Sequence, residues 1–215
     1  MWDWLQQHTG SISALASVAT LLVWAVYLDL IFRSYRRSNR SKILINFGAG
    51  AFDKANCLVA NMSAQPVYMD SVVATLHVDG RTYTAVLSEQ DTTLSEQRDY
   101  RSQSLQGPLK SGEFLNIGTF SSLISRVAEE VGGADGARGL ATRAERLDIL
   151  VAGVFTGADE LIAAERCFDL VREGSQRRIR PRSFAAEQIR SGRRRRQIER
   201  FMMNRHREAA DSGKS

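Results

Sequence analysis

Ser11 to Phe32 reads SISALASVATLLVWAVYLDLIF, and the rest of the chain is organised around this stretch. About 20 mostly apolar residues, rising about 1.5 Å each, match the hydrocarbon thickness of a bilayer, so residues 11–32 are expected to form one transmembrane helix. A removable signal peptide is the first competitor. Such peptides open with basic residues, have a shorter apolar region and close on a small-residue cleavage site. The preceding segment, MWDWLQQHTG, contains no Lys or Arg. A buried core helix of this length would usually carry a polar stripe instead.

The flanks orient the span. Trp2 and Trp4 on one side and Trp24 and Tyr27 toward the other resemble the aromatic belts of the two membrane interfaces. Arg33, Arg36, Arg37, Arg40 and Lys42 follow the span, while the other flank holds only Asp3. The positive-inside bias then places residues 1–10 outside a bacterial-type inner membrane and the C-terminal part in the cytoplasm. The juxtamembrane segment 33–42 lies between them, with its arginines at the lipid headgroups.

Two features of the span go beyond spanning. Ser13, Ser17 and Thr20 fall at i, i+4 and i+7, a line of small hydroxyl residues along which a second helix could pack closely. The competing explanation is that these hydroxyls bond carbonyls of their own helix. Asp29 is ionisable at membrane depth, which by default suggests function. It also lies four residues before Arg33, where a local ion pair can hold it.

From Ile43 the apolar period changes from helical to two, the pattern of antiparallel strands, and a β domain is expected over residues 43–182. Its clearest unit is Ser71 to Ser88: two alternating runs meet at Asp79-Gly80, a dipeptide suited to the positive φ angles of a type I′ hairpin. Lys42 to Phe47 and Asn56 to Met62 read as earlier strands, and with the hairpin they suggest a four-strand meander. A polar connection follows, SEQDTTLSEQRDYRSQSLQ, long enough to be a partner surface. Gly107-Pro108 reads as a turn, Glu113 to Ile117 as a strand, and Thr119 as the cap of a short amphipathic helix ending near Val131.

The segment GGADGARG then reads as a loop, since it lacks the G-x-x-x-x-G-K-[ST] pattern of a phosphate-binding loop. Arg146 to Phe155 and Glu160 to Val171 are two long strands. Arg166 falls on the more apolar face of the second, where it is expected either to snorkel from the sheet's edge or to pair with a buried carboxylate, a structural ion pair rather than a ligand contact. Arg177 to Pro181 reads as an edge strand. About seven short strands with frequent turns suit an immunoglobulin-like sandwich.

Residues 183–215 are expected to form a basic amphipathic helix and tail, capped by Ser183 and weakened at Gly192. Ile198, Phe201 and Met202 make an apolar stripe, and Arg193, Arg194, Arg195 and Arg196 are candidates for lipid headgroups. Nucleic acid is the weaker partner, because only Phe184 and Phe201 accompany the arginines and no stacking platform is visible.

The histidines, His8, His77 and His206, are scattered, and no metal or cofactor set can be built from them. His77 across a sheet from Cys57 would be a nucleophile pair with no third group to orient it. No enzymatic activity is expected, and both cysteines should be free thiols. The sequence thus favours a membrane-anchored cytoplasmic β-sandwich that acts as a protein-binding or scaffold module. Its partners would be the bilayer, another protein and, in a homo-oligomer, a second copy. The alternative is a homo-oligomeric membrane effector or channel-like assembly built on the helix.

Overall fold

The computed structural model describes residues 9–38, 41–48, 50–87, 105–155, 160–174 and 176–212. The chain divides into two units, Met1–Arg40 and Ser41–Ser215. Trp2, Trp4, Arg40, most of the polar connection after Leu87 and the turn at 156–159 lie outside the described residues.

In the first unit one helix, α1, spans Thr9–Ser38. Its 23 residues Ser13–Tyr35 are long and apolar enough to cross a membrane. They rise about 34 Å against about 30 Å of hydrocarbon. A signal sequence near an N-terminus can satisfy the same criterion of length and hydropathy. Every side chain from Ser13 to Tyr35 is exposed.

The second unit is a mainly antiparallel β domain with few helices. Strands β1 (Ile43–Phe47), β2 (Asn56–Asn61) and β6 (Phe114–Thr119) form one sheet in the order β1-β2-β6. The larger sheet is built on β3 (Val67–Val78), β4 (Arg81–Leu87), β7 (Arg146–Phe155), β8 (Glu160–Glu173) and β10 (Glu187–Gln188), in the order β10-β8-β7-β3-β4. Two further strands sit at its edges: β5 (Gly107–Leu109) beside the start of β3, and β9 (Gln176–Pro181) beside the end of β8.

The β3-β4 hairpin forms as the sequence implies. Asp79 and Gly80 take φ of 50° and 75°, and Val78 pairs with Arg81 across the turn. The expected meander does not form, because β2 pairs with β6 and β3 with β7. Asn61, fully buried, explains the separation. Its amide donates to the carbonyls of Gln65 and Leu109, both at 2.9 Å, and its oxygen accepts from Ser63 N at 2.9 Å. This pins a turn that carries the chain out of the smaller sheet into the larger one. Gly107-Pro108, read as a turn, is strand β5, with Pro108 at an edge where its missing N–H costs nothing.

An immunoglobulin constant domain divides its strands as A-B-E-D and C-F-G, whereas here the first, second and sixth strands form one sheet. What sequence and structure share is the coarser description, an antiparallel β domain.

One core fills the space between the sheets. Ile43, Ile45, Cys57 and Val59 from the smaller sheet meet Leu76, Leu147, Ile149 and Phe168 from the larger. Helix α2 (Phe120–Arg143) closes this core, with Phe120 packed edge-on against Phe168 at 4.8 Å. Thr119 caps α2 by accepting from Ser122 N at 3.2 Å. The GGADGARG segment is not a free loop: helix runs up to it and resumes within it, the two pieces of α2 being separated at Gly133, where φ is 61° and non-helical. Gly132 makes the kink compact, since a Cβ there would lie 2.7 Å from a methyl of Leu140. Likewise β3 bulges between Met69 and Ser71 opposite Gly153, where a Cβ would stand 2.4 Å from the Tyr68 carbonyl oxygen.

The last element, α3, spans Gly192–Ser212, so the helix does not start at Phe184 as the sequence suggested. The backbone before it is already engaged. Glu187 and Gln188 pair with Glu165 and Ala164 as β10, and Ile189 N donates to Ala163 O at 2.8 Å. The Gln188 side chain imitates a strand partner for Ile43, accepting from its N–H at 3.0 Å and donating to its carbonyl at 2.6 Å.

Candidate interaction surfaces

Arg166 is on the core face of β8, as the alternation implies, and only 4% exposed. The expected carboxylate partner is replaced by neutral oxygens. The guanidinium donates to the carbonyls of Ile45, Ser183 (3.0 Å) and Phe184 (3.1 Å) and to Asn46 Oδ1 (3.1 Å), above the Phe168 ring. Burial holds its pKa below the ordinary arginine value, with the nearby Cys57 opposing that shift. Its role is a clamp joining β8, β1 and the segment before β10.

The opposite face of the larger sheet seats α3. Ile198 and Met202 are buried against Ala152 and Ala163, with Leu150 and Leu161 alongside. Arg195, Ile198 and Met202 fall at i, i+3 and i+7, so Arg195 shares the buried side; it donates to Ile189 O at 3.0 Å and to Glu160. Arg194 approaches Glu165 at 3.8 Å. Ile198 and Met202, from the apolar stripe of the tail, are therefore used within the protein, and Arg194 and Arg195, read from sequence as headgroup ligands, already have carboxylate partners. Arg193 and Arg196 are exposed.

In α1 the Ser17 hydroxyl donates to Ser13 O at 2.9 Å and the Thr20 hydroxyl to Ala16 O at 2.8 Å. Arg33 Nε lies 2.9 Å from a carboxylate oxygen of Asp29, the local pair that the spacing implies. Arg36 and Arg37 belong to the last turns of α1.

His77 and Cys57 are not brought together. Cys57 is buried in the core beside Arg166, and burial drives its thiol pKa far up. His77 points from the other face of β3, where Asp148 Oδ2 lies 2.7 Å from its Nε2. Arg146 Nη2 stands 2.7 Å from the same imidazole nitrogen and 3.0 Å from the same carboxylate oxygen. Register places Cys167 opposite Asp148. Burial and this carboxylate push the Cys167 thiol up to about 12, which leaves almost no thiolate at neutral pH. Beside it, burial raises the Glu165 carboxyl. The cluster is internally paired and offers no activated nucleophile.

The surface that sequence reading missed is the outer face of the smaller sheet. Leu44, Ala60 and Phe114 form one cross-strand row. Phe114 is 67% exposed and Met62, which follows β2 on the same face, is 50% exposed. The signal lay in the runs ILI and CLVA, where apolar residues succeed one another without alternation and so occupy both faces.

No protein-family model, curated protein or solved structure matches this chain.

Proposed function

We propose that this protein is a membrane-anchored interaction module: α1 crosses a bacterial-type inner membrane with its N-terminus outside, and the β domain binds another protein in the cytoplasm. The observation that carries the reading is the apolar row on the smaller sheet, Leu44 and Ala60 half-buried and Phe114 67% exposed at its edge, in a chain that also has a membrane-length helix. Large exposed apolar groups grouped on one face characterise contact sites. In architecture the domain is read as a two-sheet sandwich of the immunoglobulin-like kind, with its own strand order. The orientation rests on Arg33, Arg36, Arg37 and Arg40, and digestion of the β domain by protease added to inverted membrane vesicles is the result that agrees with it.

The basic C-terminal helix contributes charge to the lipid surface rather than an apolar anchor. Arg193 and Arg196 are exposed, at about 1 kcal/mol for each residue near anionic headgroups, while Ile198 and Met202 are engaged elsewhere. A homo-oligomer built on Ser13, Ser17 and Thr20 has less support, because the Ser17 and Thr20 hydroxyls are bonded within their own helix. We assign no enzymatic activity, cofactor or metal. A photocrosslinking residue at Phe114 in native membranes should yield one discrete protein adduct absent when the probe is at Arg81, on the exposed hairpin tip. Equal labelling from both positions, or lipid adducts alone, would remove the reading.

A further inference from the structure

The turn end of the β8-β9 hairpin carries Arg172, Arg177, Arg178 and Arg180, and Arg182 follows just beyond it. Three of them are neutralised locally. Arg178 and Arg180 reach Glu173 at 3.2 and 3.1 Å, and Arg182 reaches Asp169 at 3.4 Å. Arg172 and Arg177 have no carboxylate within ion-pair distance among the described residues, yet register places them directly opposite each other on adjacent strands. Like charges in that position repel.

Both line the same recess, about 220 Å³ in volume, between this hairpin, the turn Phe52–Lys54 and α2. Arg177 is held rigidly at its wall. It donates through Nη2 to the carbonyls of Ala141 (2.6 Å) and Thr142 (2.9 Å), and its other N–H groups have no hydrogen bond among the described residues. Its burial lowers the guanidinium pKa, with Asp53 opposing and Arg172 reinforcing that effect. Hydroxyls complete the lining: Ser121 in the first turn of α2, Ser125 four residues later on the same face, and Thr142. With two guanidinium groups against the single carboxylate of Asp53, the charge balance selects an anion. The space is smaller than the 300 Å³ or so at which pockets for drug-sized ligands begin, and arginine forks match the geometry of phosphate oxygens.

We propose that this recess binds a phosphate-type oxyanion, with Arg172 and Arg177 supplying the charge and the hydroxyls of Ser121, Ser125 and Thr142 the neutral donors. The anion relieves the repulsion between the two arginines. A phosphate of this kind comes either from a free phosphomonoester or from a lipid headgroup, and the recess recognises the chemistry the two share.

The test uses the full-length protein in neutral detergent and, separately, in phosphatidylcholine nanodiscs with and without phosphatidic acid. Thermal unfolding of the β domain is followed with inorganic phosphate, with glycerol 3-phosphate, and with chloride at matched ionic strength. Phosphate or glycerol 3-phosphate should raise the midpoint where chloride does not, if the anion is free. A rise only in phosphatidic acid discs identifies the headgroup as the source. In either arm Arg172→Gln, which removes one of the two repelling charges, should raise the ligand-free midpoint slightly and weaken the response about tenfold, and Ser125→Ala should weaken it less. No response to any of the three phosphates, or an undiminished response in Arg172→Gln, would overturn the proposal.

Discussion

Arg166 in β8 donates to the main-chain carbonyl of Ile45 in β1, so a buried guanidinium ties the larger sheet to the smaller. The same group holds the carbonyls of Ser183 and Phe184 and thereby fixes the path by which the chain reaches α3. A charge in the core is costly unless its donors are used, and here carbonyl dipoles and one amide oxygen engage both terminal nitrogens in place of an anion, while Nε is left without a partner among the described residues.

Arg166→Met removes the desolvated charge and leaves these carbonyls without donors. Unpaired buried acceptors cost about 1–3 kcal/mol each, part of which is offset by the lost charge, so a net destabilisation of about 2 kcal/mol is expected. Lysine should not rescue it, because a single ammonium cannot span carbonyls on two separate segments. Denaturant unfolding of both variants checks this, and trypsin should cut the Arg166→Met protein faster after Arg182, where the clamped segment begins.

The seat of α3 gives a second expectation. Ile198 is buried against Ala152 and Ala163, and burial of a side chain this size contributes about 1.5–3 kcal/mol. Ile198→Ser should therefore raise the undocked population of α3 by at least about tenfold. Proteolysis within the Arg193 to Arg196 run would report it. Phe201→Ser, on a flank already 37% exposed, should change the cleavage rate far less.

A third expectation concerns alkaline pH. Burial raises the Cys57 thiol well above its ordinary value of 9.0, against the opposing pull of Arg166. Above pH 9 the unfolded chain releases this proton while the folded chain keeps it. Stability must then fall as pH rises, by up to about 1.4 kcal/mol per pH unit for this one thiol. Denaturant unfolding between about pH 9 and 11 should be less pH-dependent in Cys57→Ala than in the parent. The comparison uses slopes, because the lost side-chain volume lowers the stability of the variant at every pH. Identical slopes would mean that Cys57 ionises as readily in the folded protein as in the unfolded one.

Local chemistry alone determined a good part of this protein. The apolar run from Ser13 to Tyr35 is helical because nothing within it interrupts the pattern. Asp79-Gly80 makes the hairpin because both residues accept positive φ, and Thr119 caps α2 through its own hydroxyl. The Asp29–Arg33 pair follows from a spacing of four. Each of these depends on residues within about one turn of helix or one hairpin.

Tertiary structure decided the rest, because the deciding partners are far apart in sequence. The strands divide into two sheets through Asn61, whose amide reaches Leu109. The tail is a strand before it is a helix because Ala163 and Ala164 offer it an edge and Ile43 engages Gln188. The GGADGARG segment breaks the helix only at Gly133, and the kink can close up because Gly132 leaves room for Leu140. Arg172 and Arg177 read as two more charges in a basic stretch until the folded hairpin sets them face to face over one recess. A stripe such as Ile198 and Met202 looks the same in sequence whether lipid or protein covers it, since burial depends on apolar area and not on its source; here the outer face of the sheet covers it.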